Sequence, residues 1–136
     1  MATTLLLGSD DGLLEGMAQA FAADGHRAVV ARSIDEAVSL AVSHAPLVIV
    51  VEHSFAADPE FARLRLPAGA ALVVYRANDE VTRPLPGLIQ RATLAELILP
   101  WERLRLITLV RRVEERARAS GRERPPTPPE DRVVPE

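Results

Sequence analysis

The chain contains neither cysteine nor lysine, and all sixteen of its basic residues are arginine. Without cysteine it can form no disulfide, no thiolate nucleophile and no cysteine-based zinc site. No apolar run approaches the roughly 18 residues of a membrane span, and no basic-then-apolar secretion signal opens the chain. A net charge of −3 gives no overall reason to expect nucleic-acid binding. These features favour a cytoplasmic protein that contacts neither membrane nor nucleic acid.

Hydrophobic residues make up 48% of the 136 residues, which is enough to fill one core. The last stretch differs, because residues 120–136 contain five prolines and little apolar content. We therefore predict one domain over residues 1–119 and a disordered Pro/Arg-rich tail over residues 120–136.

Five short apolar segments alternate with helical patterns. The segments read as strands are Thr4–Leu7, Ala28–Ala31, Leu47–Val51, Ala71–Tyr75 and Leu94–Leu99. The third is an uninterrupted aliphatic run after Pro46, which is typical of a strand covered on both faces. The alternation predicts an α/β fold, with a parallel five-stranded sheet between two layers of helices.

Helix boundaries follow from local signals. A first helix should run from Leu13 to Gly25, since glycine commonly ends a helix. Ser33 and Glu36 have the spacing of a capping box at the start of a second helix. Short helices are expected near Pro59–Leu64 and Leu88–Ala92, and a long one from Trp101 to about Ala119. The predicted core positions of the second helix are Ile34, Ala37, Val38, Ala41 and Val42, and those of the long helix are Leu104, Ile107, Val110 or Leu109, and Val113.

Four local motifs stand out along the chain: Thr4-Leu-Leu-Leu-Gly-Ser-Asp10, Asp24-Gly-His26, Pro46-Leu-Val-Ile-Val-Val-Glu52 and Leu97-Ile-Leu-Pro-Trp101. Their order and spacing resemble those of response-regulator receiver domains. Over residues 3–118 the chain therefore resembles the CheY-like receiver family. The resemblance implies a three-layer (βα)₅ fold of the flavodoxin/CheY type, and it implies bacterial two-component signal transduction.

The same resemblance implies that the phosphorylation chemistry is lost. Receivers use an acid pair that binds Mg²⁺, an aspartate phosphoacceptor, a sensing hydroxyl and a lysine. These positions correspond here to Gly8 and Ser9 (or Ser9 and Asp10 with a one-residue shift), Glu52, Arg76 and Leu99. Glutamate is one methylene too long for the acceptor, and near-attack geometry is sensitive at that scale. Because the chain has no lysine, realignment cannot restore that cation. We expect a degenerate phosphorylation pocket, no enzyme activity, no metal and no cofactor.

Charged replacements at two of these positions raise a further hypothesis. Glu52 and Arg76 would lie at neighbouring strand ends, where they could form an ion pair that holds the pocket in one state. The alternative is that Arg76 points into solvent. Asp10-Asp11 is better explained as turn chemistry than as a metal site. A different reading of the chain remains open: a metal-dependent enzyme that uses Asp10, Asp11 and Glu52.

The last helix is the most distinctive predicted surface. Eight arginines and four glutamates lie between Trp101 and Arg124, so this segment carries +4 while the remainder of the chain carries −7. Arginine and tryptophan are enriched at interface hot spots. We expect a protein partner of unknown identity on the fourth helix, fifth strand and fifth helix, through Leu88, Arg91, Leu97, Trp101, Arg105 and Arg112. A homodimer, and a longer regulator with an effector beyond the tail, are left open.

Overall fold

The computed structural model describes residues 3–66, 69–77 and 84–123, with side chains up to residue 119 in the last of these ranges. Within these ranges strands and helices alternate as predicted. The strands are β1 Thr3–Leu7, β2 Arg27–Ala31, β3 Val48–Glu52, β4 Ala71–Arg76 and β5 Thr93–Ile98. The helices are α1 Asp11–Ala23, α2 Ile34–His44, α3 His53–Ala56, a 3₁₀ helix Pro59–Arg63, α4 Gly87–Ala92 and α5 Arg103–Glu123.

All strand pairs are parallel, and the strand order is β2-β1-β3-β4-β5. Alternate residues of each central strand face opposite layers. One core packs beneath α2, α3 and the 3₁₀ helix and includes Leu5, Ile49 and Val74. The other packs beneath α1 and α5 and includes Leu6, Val50 and Tyr75. The predicted three-layer α/β fold is confirmed.

Helix ends follow the predicted local chemistry. Gly25 has φ +81° just after α1, a conformation that costs other residues energy. The Ser33 hydroxyl accepts from the Glu36 amide at 3.1 Å, while the Glu36 carboxylate accepts from the Arg32 amide at 2.8 Å. Helix α5 extends to Glu123, four residues beyond the predicted end. The remainder of the predicted tail lies outside the described residues.

Two predicted core positions, Val42 and Leu104, are exposed. Val42 is 82% exposed because it lies at the margin of the α2 stripe, close to the helix end, and Leu104 is 73% exposed. The residue that α5 buries in place of Leu104 is Leu106, with no exposed surface. Val110 is buried as predicted. Successive helical residues turn by 100°, so Leu106 and Val110 share a face that Leu104 does not.

Among the described residues, no helix combines the length and apolar character needed to cross a membrane.

Candidate functional site

The carboxyl ends of β1, β3 and β4 meet at one edge of the sheet, where open α/β folds bind ligands. This edge brings together Gly8, Ser9 and Glu52, three of the residues predicted to form a degenerate pocket. Gly8 continues β1, and its amide donates to the Ala31 carbonyl at 3.2 Å. Glu52 is the last residue of β3 and is half-buried. The three residues that the sequence grouped are therefore neighbours in the fold, and their role as a degenerate pocket stays a prediction.

The Glu52 carboxylate is held by Ser9. Both the backbone amide and the hydroxyl of Ser9 donate to Glu52 Oε1, each at 2.8 Å. Two donors on one oxygen fix the direction of the Glu52 carboxylate. The extra methylene of glutamate lets the carboxylate reach across to the β1 loop. Glu52, which the sequence resemblance assigned to the phosphoacceptor position, is thus hydrogen-bonded to Ser9, which it assigned to the acid pair.

Tyr75 fills the space beside Gly8, and no sequence motif drew attention to it. In the β3–β4 register Tyr75 is the partner of Glu52, so the two side chains emerge on the same face of the sheet. A Cβ atom at position 8 would overlap the Tyr75 hydroxyl oxygen and lie 3.3 Å from Glu52 Oε1. Any residue larger than glycine at position 8 would therefore compete with Tyr75 for the pocket.

Arg76 does not form the predicted ion pair with Glu52. It follows Val74 on the opposite face of β4, toward the α2 and α3 layer, whereas Glu52 faces the α1 and α5 layer. The pKa of the Glu102 carboxyl lies below its usual range, first because of the hydrogen bond from the Ile98 amide at 2.7 Å, then because of the hydrogen bond from Arg105, and with only a smaller contribution from the Arg76 charge. The hypothesis of a Glu52–Arg76 clamp is wrong because strand alternation separates the two side chains.

Arg76 lines a small cavity at the carboxyl ends of β4 and β5. Its volume is about 220 Å³, and it is bounded on one side by the buried His53. Glu96 and Glu102 line it as well, so charges of both signs surround it. Although His53 and Glu52 are adjacent in sequence, their side chains lie on different faces of the sheet. They therefore do not form an acid–base pair.

The acids Asp10 and Asp11 are occupied by structural contacts. Asp10 is the N-cap of α1, and its Oδ1 accepts from the Leu13 amide at 3.1 Å. Asp11 forms an ion pair with Arg32. Within the described part of the chain, no three His, Cys, Asp or Glu side chains are grouped so that they could hold a metal ion. Two of the three acids of the metal-dependent alternative, Asp10 and Asp11, thus have structural partners on the chain itself.

Leu99, which the sequence resemblance assigned to the position of the receiver lysine, belongs to the core. It is 2% exposed and packs in the cluster beneath α1 and α5. It also lines the floor of a cavity of about 420 Å³ between α1 and the β5–α5 loop. An aliphatic side chain there supplies packing and no positive charge.

The residues predicted to contact a partner differ in exposure. Leu97 is 2% exposed in the same core cluster, so its assignment as a contact residue is wrong. Some side chains of β5 point inward and pack beneath α5. The apolar run in the sequence does not show which residues of the strand point inward and which point outward. The remaining five are exposed: Leu88, Arg91, Trp101, Arg105 and Arg112.

Leu104 joins this exposed set. Leu104, Arg105 and Arg112 lie on one exposed face of α5, and Trp101 lies in the turn just before the helix. We refer to these four residues as the exposed stripe of α5. Leu88 and Trp101 are 74% and 72% exposed. Large exposed apolar side chains flanked by arginine are a combination found in protein interfaces.

Comparison with known proteins gives the fold. No protein-family model matches the sequence, and no curated protein matches it. Solved structures do match. A response regulator receiver domain protein from Clostridium thermocellum has a TM-score of 0.64 and 12% identity, with 88% of this chain and 98% of that chain covered. A two-component response regulator from Clostridium difficile has a TM-score of 0.67 and 13% identity, with 86% and 98% covered.

The receiver domain of a Francisella response regulator is similar in the same way, with a TM-score of 0.63, 17% identity and coverage of 86% of this chain and 99% of that chain. Each comparison spans nearly the whole of the solved domain. The chain therefore has the CheY-like receiver fold, as the sequence motifs predicted. At these identities the likeness concerns the fold.

Proposed function

We propose that this receiver-fold chain is a pseudo-receiver: a phosphorylation-independent module that binds a protein partner in bacterial signal transduction. The observation that carries the proposal is the space around Gly8, Ser9 and Glu52, which the chain's own side chains occupy. The Tyr75 hydroxyl takes the space beside Gly8, and Ser9 donates twice to Glu52 Oε1. A phosphoryl group and its metal would have to displace both contacts.

Among the residues that the structure describes, the positions that would supply charge compensation in a receiver also differ here. Phosphoryl transfer depends on positioned cations and metal ions that neutralise the transferred group. Leu99 is buried and uncharged at the position of the lysine, and Asp10 is committed to the α1 N-cap. Arg76 lies on the other face of the sheet from Glu52. The supporting groups are therefore replaced as well as the acceptor.

Reaction with a small phosphodonor tests this part of the proposal. The full chain is incubated with Mg²⁺ and acetyl phosphate, or with Mg²⁺ and beryllofluoride, beside a conventional receiver as the positive control. We expect an unchanged intact mass and unchanged backbone amide shifts for this chain. A Glu52→Asp variant should stay equally inert, because shortening the acceptor restores neither the metal site nor the cation. A stoichiometric adduct on Glu52 would overturn the proposal.

The partner surface is proposed to be the exposed stripe of α5 together with Leu88 of α4. Its apolar members, Trp101 and Leu104, would supply buried contact area. Arg105 and Arg112 would pair with acidic side chains of the partner, since the segment from Trp101 to Arg124 carries +4. The partner we propose is therefore a protein with acidic residues around an apolar patch.

Affinity capture from the native organism tests the surface. The wild-type chain is compared with a Trp101→Ala/Arg105→Ala variant and with Val42→Ala, which removes an equally exposed apolar side chain on α2. We expect one partner to be retained by wild type and Val42→Ala and lost by the double variant. Retention by all three would refute this surface. Sedimentation of each chain alone shows whether the partner is a second copy.

A further inference from the structure

Four charged side chains tie α5 to the loop between α1 and β2. His26 is 8% exposed and lies between two carboxylates. Its Nδ1 is 3.0 Å from Glu114 Oε2, and its Nε2 is 2.8 Å from Asp24 Oδ2. Arg111 completes the group by donating from Nε to Asp24 Oδ2 at 2.9 Å and from its terminal nitrogen to Asp24 Oδ1. We refer to these four residues as the His26 cluster.

The geometry constrains the protons of the imidazole. An ionised carboxylate only accepts hydrogen bonds, and a neutral imidazole has a single N–H to donate. Both short contacts of His26 can be hydrogen bonds at once only if both ring nitrogens carry protons. The imidazolium would then balance the charges, because two carboxylates face one guanidinium and one imidazolium. Without that proton, one ring nitrogen would present a lone pair to a carboxylate oxygen, and two acceptors cannot form a hydrogen bond with each other.

Each element packed around His26 contributes to this environment. The end of α1 supplies Asp24 and the edge of the Phe21 ring, whose centroid is 6.1 Å from the imidazole centroid. Helix α5 supplies Glu114 directly and Arg111 through Asp24. The Arg111 hydrogen bond is the first cause that holds the pKa of the Asp24 carboxyl below its usual range, so Asp24 stays ionised over a wide range of pH.

The cluster also lies where α5 has few other anchors. The first half of the helix is fixed by Leu106 and Val110, both fully buried. Beyond Val110, Val113 and Glu114 are the more buried side chains and Arg111 reaches Asp24. Residues 115–119 are exposed, although Arg116 and Ala117 line a cavity beside Leu47. The Glu114–His26 contact is therefore the last inward-facing polar link of α5 to the sheet layer among the described residues.

We propose that the His26 cluster is a proton-linked clamp on the second half of α5. With both ring nitrogens protonated, His26 holds Glu114 and Asp24 together and keeps the helix docked. Loss of one proton removes one of the two hydrogen bonds, and the second half of α5 loosens. The clamp therefore holds while both ring nitrogens carry protons and weakens when a rise in pH removes one of them. On the acid side it ends where Asp24 becomes protonated. This inference does not depend on the proposed partner or on the inert pocket.

Nuclear magnetic resonance of the full chain tests the clamp between about pH 5 and 8, the range in which histidine side chains change charge. Imidazole ¹⁵N shifts report both ring nitrogens, and hydrogen exchange reports amides 111–119 as protection factors, corrected for intrinsic exchange. We expect those protection factors to fall at least about tenfold as His26 loses a proton, the size expected for one hydrogen bond to a charged group.

Two conservative variants separate the clamp from general effects of pH. In Glu114→Gln the side-chain amide can donate to a deprotonated Nδ1, so protection of amides 111–119 should become nearly independent of pH. Glu115→Gln, an exposed neighbour on the same helix, should keep the wild-type dependence. A flat wild-type profile while the imidazole titrates would overturn the proposal. So would an unchanged pH dependence in Glu114→Gln.

Discussion

Replacing Gly8 with alanine should destabilise the protein only while Tyr75 keeps its hydroxyl. The added Cβ would overlap the Tyr75 hydroxyl oxygen, and two further atoms, Glu52 Oε1 and Leu14 Cδ2, would each lie 3.3 Å away. Gly8 does not have a positive φ, so alanine brings no backbone strain there. The cost must therefore come from crowding in the pocket.

The expected magnitude follows from two opposing effects. Overpacking of a filled site costs about 1–3 kcal/mol. Alanine also restricts the unfolded chain, which stabilises the folded state by about 0.4–1 kcal/mol. We therefore expect Gly8→Ala to lower the free energy of unfolding by about 1–2 kcal/mol in the wild-type background. In a Tyr75→Phe background the overlapping oxygen is gone, and the same change should be close to neutral.

Urea unfolding followed by circular dichroism measures all four chains of this double-mutant cycle. The midpoints should shift while the dependence on urea stays constant, which would indicate that only stability has changed. A coupling free energy of about 1–2 kcal/mol between the two positions is expected, which is within the range seen for contacting residues. If alanine at position 8 cost the same in both backgrounds, Tyr75 would not be what fills this space, and the account of a closed pocket would fail.

Three further predictions use matched pairs or pH. Leu106→Ala should lower the free energy of unfolding by about 2–5 kcal/mol, whereas Leu104→Ala should change it by less than about 0.5 kcal/mol, because only Leu106 is buried. Equal losses of stability for the two variants in thermal unfolding would contradict the assigned helix face. Gly25→Ala should destabilise the protein by about 1–2 kcal/mol because φ is +81° there. Gly16→Ala, within α1, should stabilise it by about 0.5–1 kcal/mol. If chemical denaturation showed stability changes of the same sign for both variants, the backbone argument would be refuted. Asp24→Asn should lower the free energy of unfolding at neutral pH. A carboxyl with a depressed pKa stabilises the folded state only where it is ionised, so the difference from wild type should shrink below about pH 4 and vanish below the lowered pKa of Asp24. A difference in the free energy of unfolding that persists in strongly acidic solution would argue against this prediction.

Much of the fold could be predicted because its signals are local. The aliphatic run after Pro46 became the buried strand β3, and Ser33 caps α2 through contacts within four residues. The position of Gly25 predicted a left-handed residue after α1. Such features depend on near neighbours in the chain, so they can be inferred before any tertiary contact is known.

The assignment of faces was less reliable. Leu104 and Leu106 are both leucine on the same helix, and only the phase of α5 against the sheet decides which is buried. Leu97 and Leu94 lie on one apolar strand, yet Leu97 is in the core and Leu94 is half exposed. An apolar side chain is compatible with either outcome, because its burial depends on what packs over it.

The sequence by itself determined the receiver fold and the absence of lysine, and it placed Gly8, Ser9 and Glu52 at one edge of the sheet. Tertiary structure decided how those positions are used. The β3–β4 register put Tyr75, and not Arg76, on the same face as Glu52, and the glycine at position 8 left room for its hydroxyl. It also brought Glu114 to His26 across 88 positions of chain. Register and long-range packing are properties of the folded chain, because they depend on which elements meet in space.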